Sequence, residues 1–263
     1  MTAPVSAKRA RPTWRDYLRA FGRSHRTASV EFASSLPLLR HLEELRGRLF
    51  VALAALAVTT VLSFIFVEPL VDFFTQPIGG RAALVSIEVT ENVAIFMRVS
   101  LLCGLTAAMP FVVYEALAFV LPGLNARERS WLLVGVPLAS LLFVAGVAFA
   151  WYIMIPTAVP FLTSFLGITT HVRPANYFAF ITTLMFWMGV SFQMPLVAML
   201  LARLQLITAR QLAQGWRYAL VGISVMAAAI TPTVDPVNMG LVMLPLSGLY
   251  LLSILLAALA RRG

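Results

Sequence analysis

The sequence is poor in charge, poorer still in acid and nearly without cysteine, and each shortage removes a class of protein. Charged residues fill 12% of its 263 positions and hydrophobic residues 60%, where a soluble domain carries about 25% charged. A water-soluble globule is thereby excluded, and an all-helical integral membrane protein is expected. The single Cys103 offers no disulfide framework and no cysteine metal site. His25, His41 and His171 are scattered without metal-ligand spacing. There is no phosphate-binding glycine loop, no His-Glu-x-x-His and no Gly-x-Ser-x-Gly. An ATPase or an intramembrane protease needs one of these, so no catalytic residue, metal or cofactor is expected.

What the sequence has is long apolar runs, at a mean hydropathy of +0.88. They fall at about 49–67, 92–120, 131–153, 177–201, 216–230 and 237–260. A span needs about 20 residues. The fifth run, from Tyr218 to Ile230, has 13, or about 20 Å of helix against a hydrocarbon core of about 30 Å. The sixth carries Pro245 and is expected to kink. Six helices, the last two shallow, are predicted.

The net charge of +9 reads as topology rather than as a nucleic-acid footprint. Outside the tail, Arg40, Arg46, Arg48, Arg127, Arg129, Arg203, Arg210, Arg217, Arg261 and Arg262 fall on one side, and only Arg81 and Arg173 on the other. The positive-inside rule then makes both termini cytoplasmic. Arg98, near the outer start of the second run, can snorkel to the interface. The basic residues also favour contact with membrane lipid. Residues 1–35 form a basic tail without a hydrophobic core, a surface helix or a disordered arm, and do not read as a secretory signal peptide. Residues 36–263 are the membrane domain. The outer segment 68–91 mixes acids with apolar residues, suggesting short helices along the outer face. Pro156, Pro160 and Pro174 in 154–176 are expected to break helix.

Polar groups at the membrane are costly, and each is a candidate. In "HLEELRGRL", at 100° per residue, Leu42, Leu45 and Leu49 form one stripe. Glu44 borders it, four residues before Arg48, while Glu43 points nearly the opposite way. Glu128, in "FVLPGLNARERSW", lies in the turn between the second and third runs, on the same predicted face. These two acids either pair with their own arginines or accept a guanidinium ligand, and spacing leaves both open. Glu115 sits about one turn inside the second run and either reaches interfacial water or adds a third acid. Gln193, two residues before Pro195, needs a hydrogen-bond partner in this chain or another. Asp235 stands in the outer turn "ITPTVDPVN", where a turn-forming role is the simpler reading.

At these residues the chain resembles the TatC family, the polytopic receptor of the twin-arginine protein translocase, from about Leu38 to the C-terminus. "HLEELRGRL" carries Glu44, Arg46 and Arg48 at the family's characteristic positions, and "FVLPGLNARER" carries Phe119, Pro122, Arg127 and Glu128. "GVAFAWYIMIP", "GVSFQMP" and "ITPTVDP" match later elements. The resemblance implies a concave bundle of six helices with short fifth and sixth members, in the cytoplasmic membrane. It implies a receptor, not an enzyme, that binds the Arg-Arg pair of signal peptides through Glu44 and Glu128, with Arg46, Arg48, Phe119, Arg127 and Glu115 around them. Export of folded precursors would be driven by the protonmotive force. TatA- or TatB-type single-span subunits would meet Gln193 and Pro195, alongside self-association. Gln193 replaces a glutamate common in the family, and the tail is no part of the family pattern. The competing class is an ion- or proton-coupled small-solute transporter, which expects deep ionisable residues and repeated halves; no repeat is visible.

Overall fold

The protein is described by a computed structural model, which covers residues 41–120, 130–164, 172–231 and 236–260. Its chain divides into two compact units, Met1–Phe50 and Val51–Gly263. In the first unit, residues 41–50 are helical.

The second unit is helical throughout its described residues save for turns and one isolated bridge. Apolar surroundings leave backbone groups no water to bond, and the helix answers that by closing its own hydrogen bonds. Helix α1 covers 51–63. A short turn, Phe64–Phe66, leads into α2, Val67–Thr75. The long helices are α3, Glu91–Val120, and α4, Ser130–Phe149, which passes through a π turn at Ala150–Met154 into α5, Ile155–Ser164. Then come α6, Pro174–Ser191, α7, Met194–Arg203, the short α8, Ala209–Gln214, α9, Trp216–Ile230, and α10, Pro236–Ala260.

Among the described residues, five helical stretches are long and apolar enough to cross a membrane: His41–Ile78, Glu91–Phe119, Val134–Ser164, Pro174–Arg203 and Pro236–Ala260. The expected short fifth run is there as α9, 15 residues or about 22 Å. The sixth corrects the expectation of a second short helix. It runs 25 residues without interruption, or about 37 Å, because Pro245 removes only one backbone donor and a packed neighbour tolerates that. α10 lies against α7 and α9.

Two of the three prolines of 154–176 also act differently from expectation. Pro156 and Pro160 lie inside α5 rather than ending it. The π turn before them shifts the hydrogen-bond register, so the helix absorbs a residue without a donor at its second position. Pro174 opens α6, where a missing N–H costs nothing.

Helix α6 is the centre of the core. Phe178, Ile181, Leu184 and Met188 are fully enclosed, and the helix packs on α3, α4 and α9. Glycines set the α4–α6 distance: a Cβ on Gly146 would stand 2.6 Å from the Met188 carbonyl oxygen, and one on Gly189 2.7 Å from the Phe143 ring. Close backbone approach through small residues is how helices associate where lipid is as apolar as leucine. α1 meets α3 the same way. Thr59 donates to the Gly104 carbonyl at 2.8 Å and Ser63 to that of Ser100 at 2.7 Å. The expected short helices after α1 are present: α2, then turns at Gln76–Ile78 and Arg81–Ala83. Phe73 and Phe74 of α2 stack on Trp151, with ring centroids 4.6 and 5.1 Å away. Tyr177 donates to the Phe74 carbonyl at 2.6 Å.

Candidate functional site

The helical residues of the first unit set a carboxylate in a defined frame. Arg48 lies one turn beyond Glu44 and donates from Nε at 3.0 Å and from Nη2 at 2.8 Å, both to Oε1. Two guanidinium donors on one oxygen leave the other, Oε2, with no hydrogen bond from the described residues. His41 Nδ1 lies 3.9 Å from Oε2, beyond hydrogen-bond range. Glu44 is one-third exposed, so water screens it incompletely. Arg46 is not part of this pair; its guanidinium lies 5.7 Å from the Phe50 ring centroid, a cation–π contact that holds it along the apolar stripe. Glu43 is exposed. The helical register read from the sequence thus separates Glu44 from Glu43.

In the second unit, Glu115 and Phe119 lie four residues apart near the end of α3, on one helix face. Both are half-buried, and both have partners in the structure. Arg127 and Glu128 lie outside the described residues, as do Pro122 and Asp235.

Gln193 occupies the corner where α6 ends and α7 begins. Its Nε2 donates to the carbonyl oxygen of Ala139 on α4 at 2.8 Å, so the amide finds a partner within its own chain. Pro195 follows it into the first turn of α7 and is fully buried.

One cluster escaped the sequence reading. Glu91, the first residue of α3, is 2% exposed. It accepts from Arg173 Nε and from Ser86 Oγ at 3.1 Å. Arg173 also pairs with Glu88 at 2.7 Å. Beside them Leu84 bridges Val172, with Val85 N donating to the Val172 carbonyl at 3.3 Å. Arg173 stays charged more firmly than a free arginine, chiefly through its hydrogen bond to Glu91. The ends of α3 and α6 are thereby tied across 82 residues, a separation at which no local pattern signals pairing. Among the described residues no group of His, Cys, Asp and Glu is placed to hold a metal.

The family model described as "Sec-independent protein translocase protein (TatC)" matches residues 40–245. A protein of that name from Deinococcus radiodurans is 39% identical over 243 residues, covering 89% of this chain and 90% of its own. One from Synechocystis is 36% identical over 217 residues, covering 82% and 85%. A crystal structure of the twin-arginine translocase receptor TatC superposes with a TM-score of 0.75 at 30% identity, over 84% of this chain and 99% of that one.

Proposed function

The chain belongs to the TatC family of Sec-independent protein translocase proteins, and on that premise we propose that it is the membrane receptor for twin-arginine signal peptides. The observation that carries this reading is the superposition on 99% of a receptor of that name. As a multi-pass membrane protein with helices enough to span repeatedly, it sits in the cytoplasmic membrane with both termini cytoplasmic. The arginine asymmetry supports that orientation. Residues 1–35 are a separate basic tail on the membrane domain 36–263.

The site chemistry follows from Glu44. Arg48 fixes the carboxylate through Oε1, which holds Oε2 in place without consuming its lone pairs. A signal-peptide guanidinium approaching Oε2 therefore gains a charge-assisted hydrogen bond without first breaking the internal pair. Glu128 supplies a second carboxylate for the second arginine, beside Arg127. Glu115 and Phe119 offer an acid and an aromatic face to the peptide's following residues. Arg46, held on Phe50, limits the approach of other cations. The protein binds and positions rather than catalysing, and transport energy comes from the protonmotive force. Single-span TatA- or TatB-type subunits dock near Gln193 and Pro195, and copies of the chain associate with one another. Asp235 stays in its outer turn.

Crosslinking tests the reading. A precursor with an Arg-Arg signal, carrying a photoreactive residue beside the pair, should crosslink to the purified protein. The same precursor with Lys-Lys should crosslink at least about tenfold less, since lysine cannot form the bidentate contact. Equal crosslinking of the two rejects the receptor reading.

A further inference from the structure

Arg98 lies seven residues beyond Glu91 in α3, about 10 Å along the helix, within a stretch that carries no other charge up to Glu115. Its side chain is exposed and makes no ion pair or hydrogen bond with the described residues. A cation at this depth is costly unless something neutralises it. Glu91, the nearer of the two acids on its own helix, is occupied by Arg173 and Ser86.

Around Arg98 is a groove of about 370 Å³ between α1, α3 and α6. Leu56, Leu101, Leu105 and Trp187 form its apolar walls, and Thr183 adds a hydroxyl. The groove pairs one cation with a narrow hydrocarbon trough. That combination fits an amphiphile with an anionic head. An acyl chain, a few ångströms wide, fits.

The geometry points to a phospholipid site in this groove. The phosphodiester sits on the Arg98 guanidinium, whose planar fork matches two phosphate oxygens. The long arginine stem lets the head group stay toward the interface at the Glu91 end. One acyl chain runs along Leu101 and Leu105, and the Thr183 hydroxyl donates to a head-group or ester oxygen. The site lies apart from Glu44, Glu128 and Gln193 in sequence and in role, and would hold a lipid on the protein rather than read a substrate.

The full-length protein, stripped of lipid in detergent, is titrated with dioleoyl phosphatidylglycerol, and bound lipid is counted by native mass spectrometry. One saturable lipid is expected, its affinity falling about tenfold in Arg98→Gln and much less in Arg98→Lys, which keeps the charge. Dioleoyl glycerol has the chains without the phosphate, and glycerol 3-phosphate the phosphate without the chains. Each should bind at least about tenfold more weakly than the intact lipid. Unchanged affinity in Arg98→Gln, or equal binding of either fragment, overturns the site. So does retention of a single-span protein helix through Arg98 with lipid binding unaltered. If Arg98→Gln cannot be purified, the wild type decides alone. A phosphatidylglycerol with a diazirine in its acyl chain should label the stretch holding Leu101 and Leu105 or that holding Trp187, and labelling confined to other segments overturns the proposal.

Discussion

Gln193 Nε2 donates to the carbonyl oxygen of Ala139 at 2.8 Å, joining the corner between α6 and α7 to the middle of α4. The amide is the donor in this bond, which decides how substitutions behave. Gln193→Leu removes it and should lower stability by about 0.5–1.5 kcal/mol, read by thermal unfolding in detergent. Gln193→Glu keeps the bond only when protonated, because an ionised carboxylate has no hydrogen to give. The Glu variant should therefore match the wild type at pH 5 and fall toward Gln193→Leu at pH 8. Identical stability of all three at pH 8 would mean that the bond contributes nothing.

The α4–α6 crossing rests on glycine. A Cβ on Gly146 meets backbone, the Met188 oxygen at 2.6 Å and the Gly189 Cα at 2.9 Å, and backbone cannot swing aside as a side-chain tip does. Gly146→Ala should cost about 1–3 kcal/mol, as overpacking does. Gly222, in α9, has nothing within 4 Å of its would-be Cβ. Gly222→Ala should be neutral or stabilising by up to about 1 kcal/mol. Denaturation midpoints of the two variants check the contrast. Equal losses would mean that the crossing is looser than its geometry.

Topology is open to direct labelling. With Cys103→Ala as background, a cysteine placed by Asp235→Cys should react with an impermeant maleimide added outside intact cells. One placed by Ala126→Cys should react only after the membrane is opened. The reverse pattern contradicts the proposed orientation.

Much of this was legible in the sequence, for reasons particular to the residues. Apolar runs fixed α3, α4, α6 and the short α9, since hydrocarbon length sets a threshold that composition meets or misses. The register of "HLEELRGRL" separated Glu44 from Glu43 because a 3.6-residue period needs no tertiary knowledge. Pro156 and Pro160 misled, because whether a proline breaks a helix depends on what its neighbours in the fold do, such as the π turn upstream, which no local pattern shows. The Glu91–Arg173 pair and the Gln193–Ala139 bond were hidden for the same reason: their partners are 82 and 54 residues away.

Glu44 carries the central claim, and one binding measurement tests it. A fluorescent peptide with a consecutive arginine pair is titrated against the purified wild type, Glu44→Ala, Glu128→Ala and Glu43→Ala. A charge-assisted hydrogen bond at a partly screened site is worth about 1.5–3 kcal/mol, so the Glu44 and Glu128 variants should bind about ten- to a hundredfold more weakly. Glu43→Ala should bind within about threefold of the wild type, a change of less than 1 kcal/mol. A loss in Glu43→Ala as large as in the other two, or normal binding by all three, would contradict recognition of the arginine pair by Glu44 and Glu128.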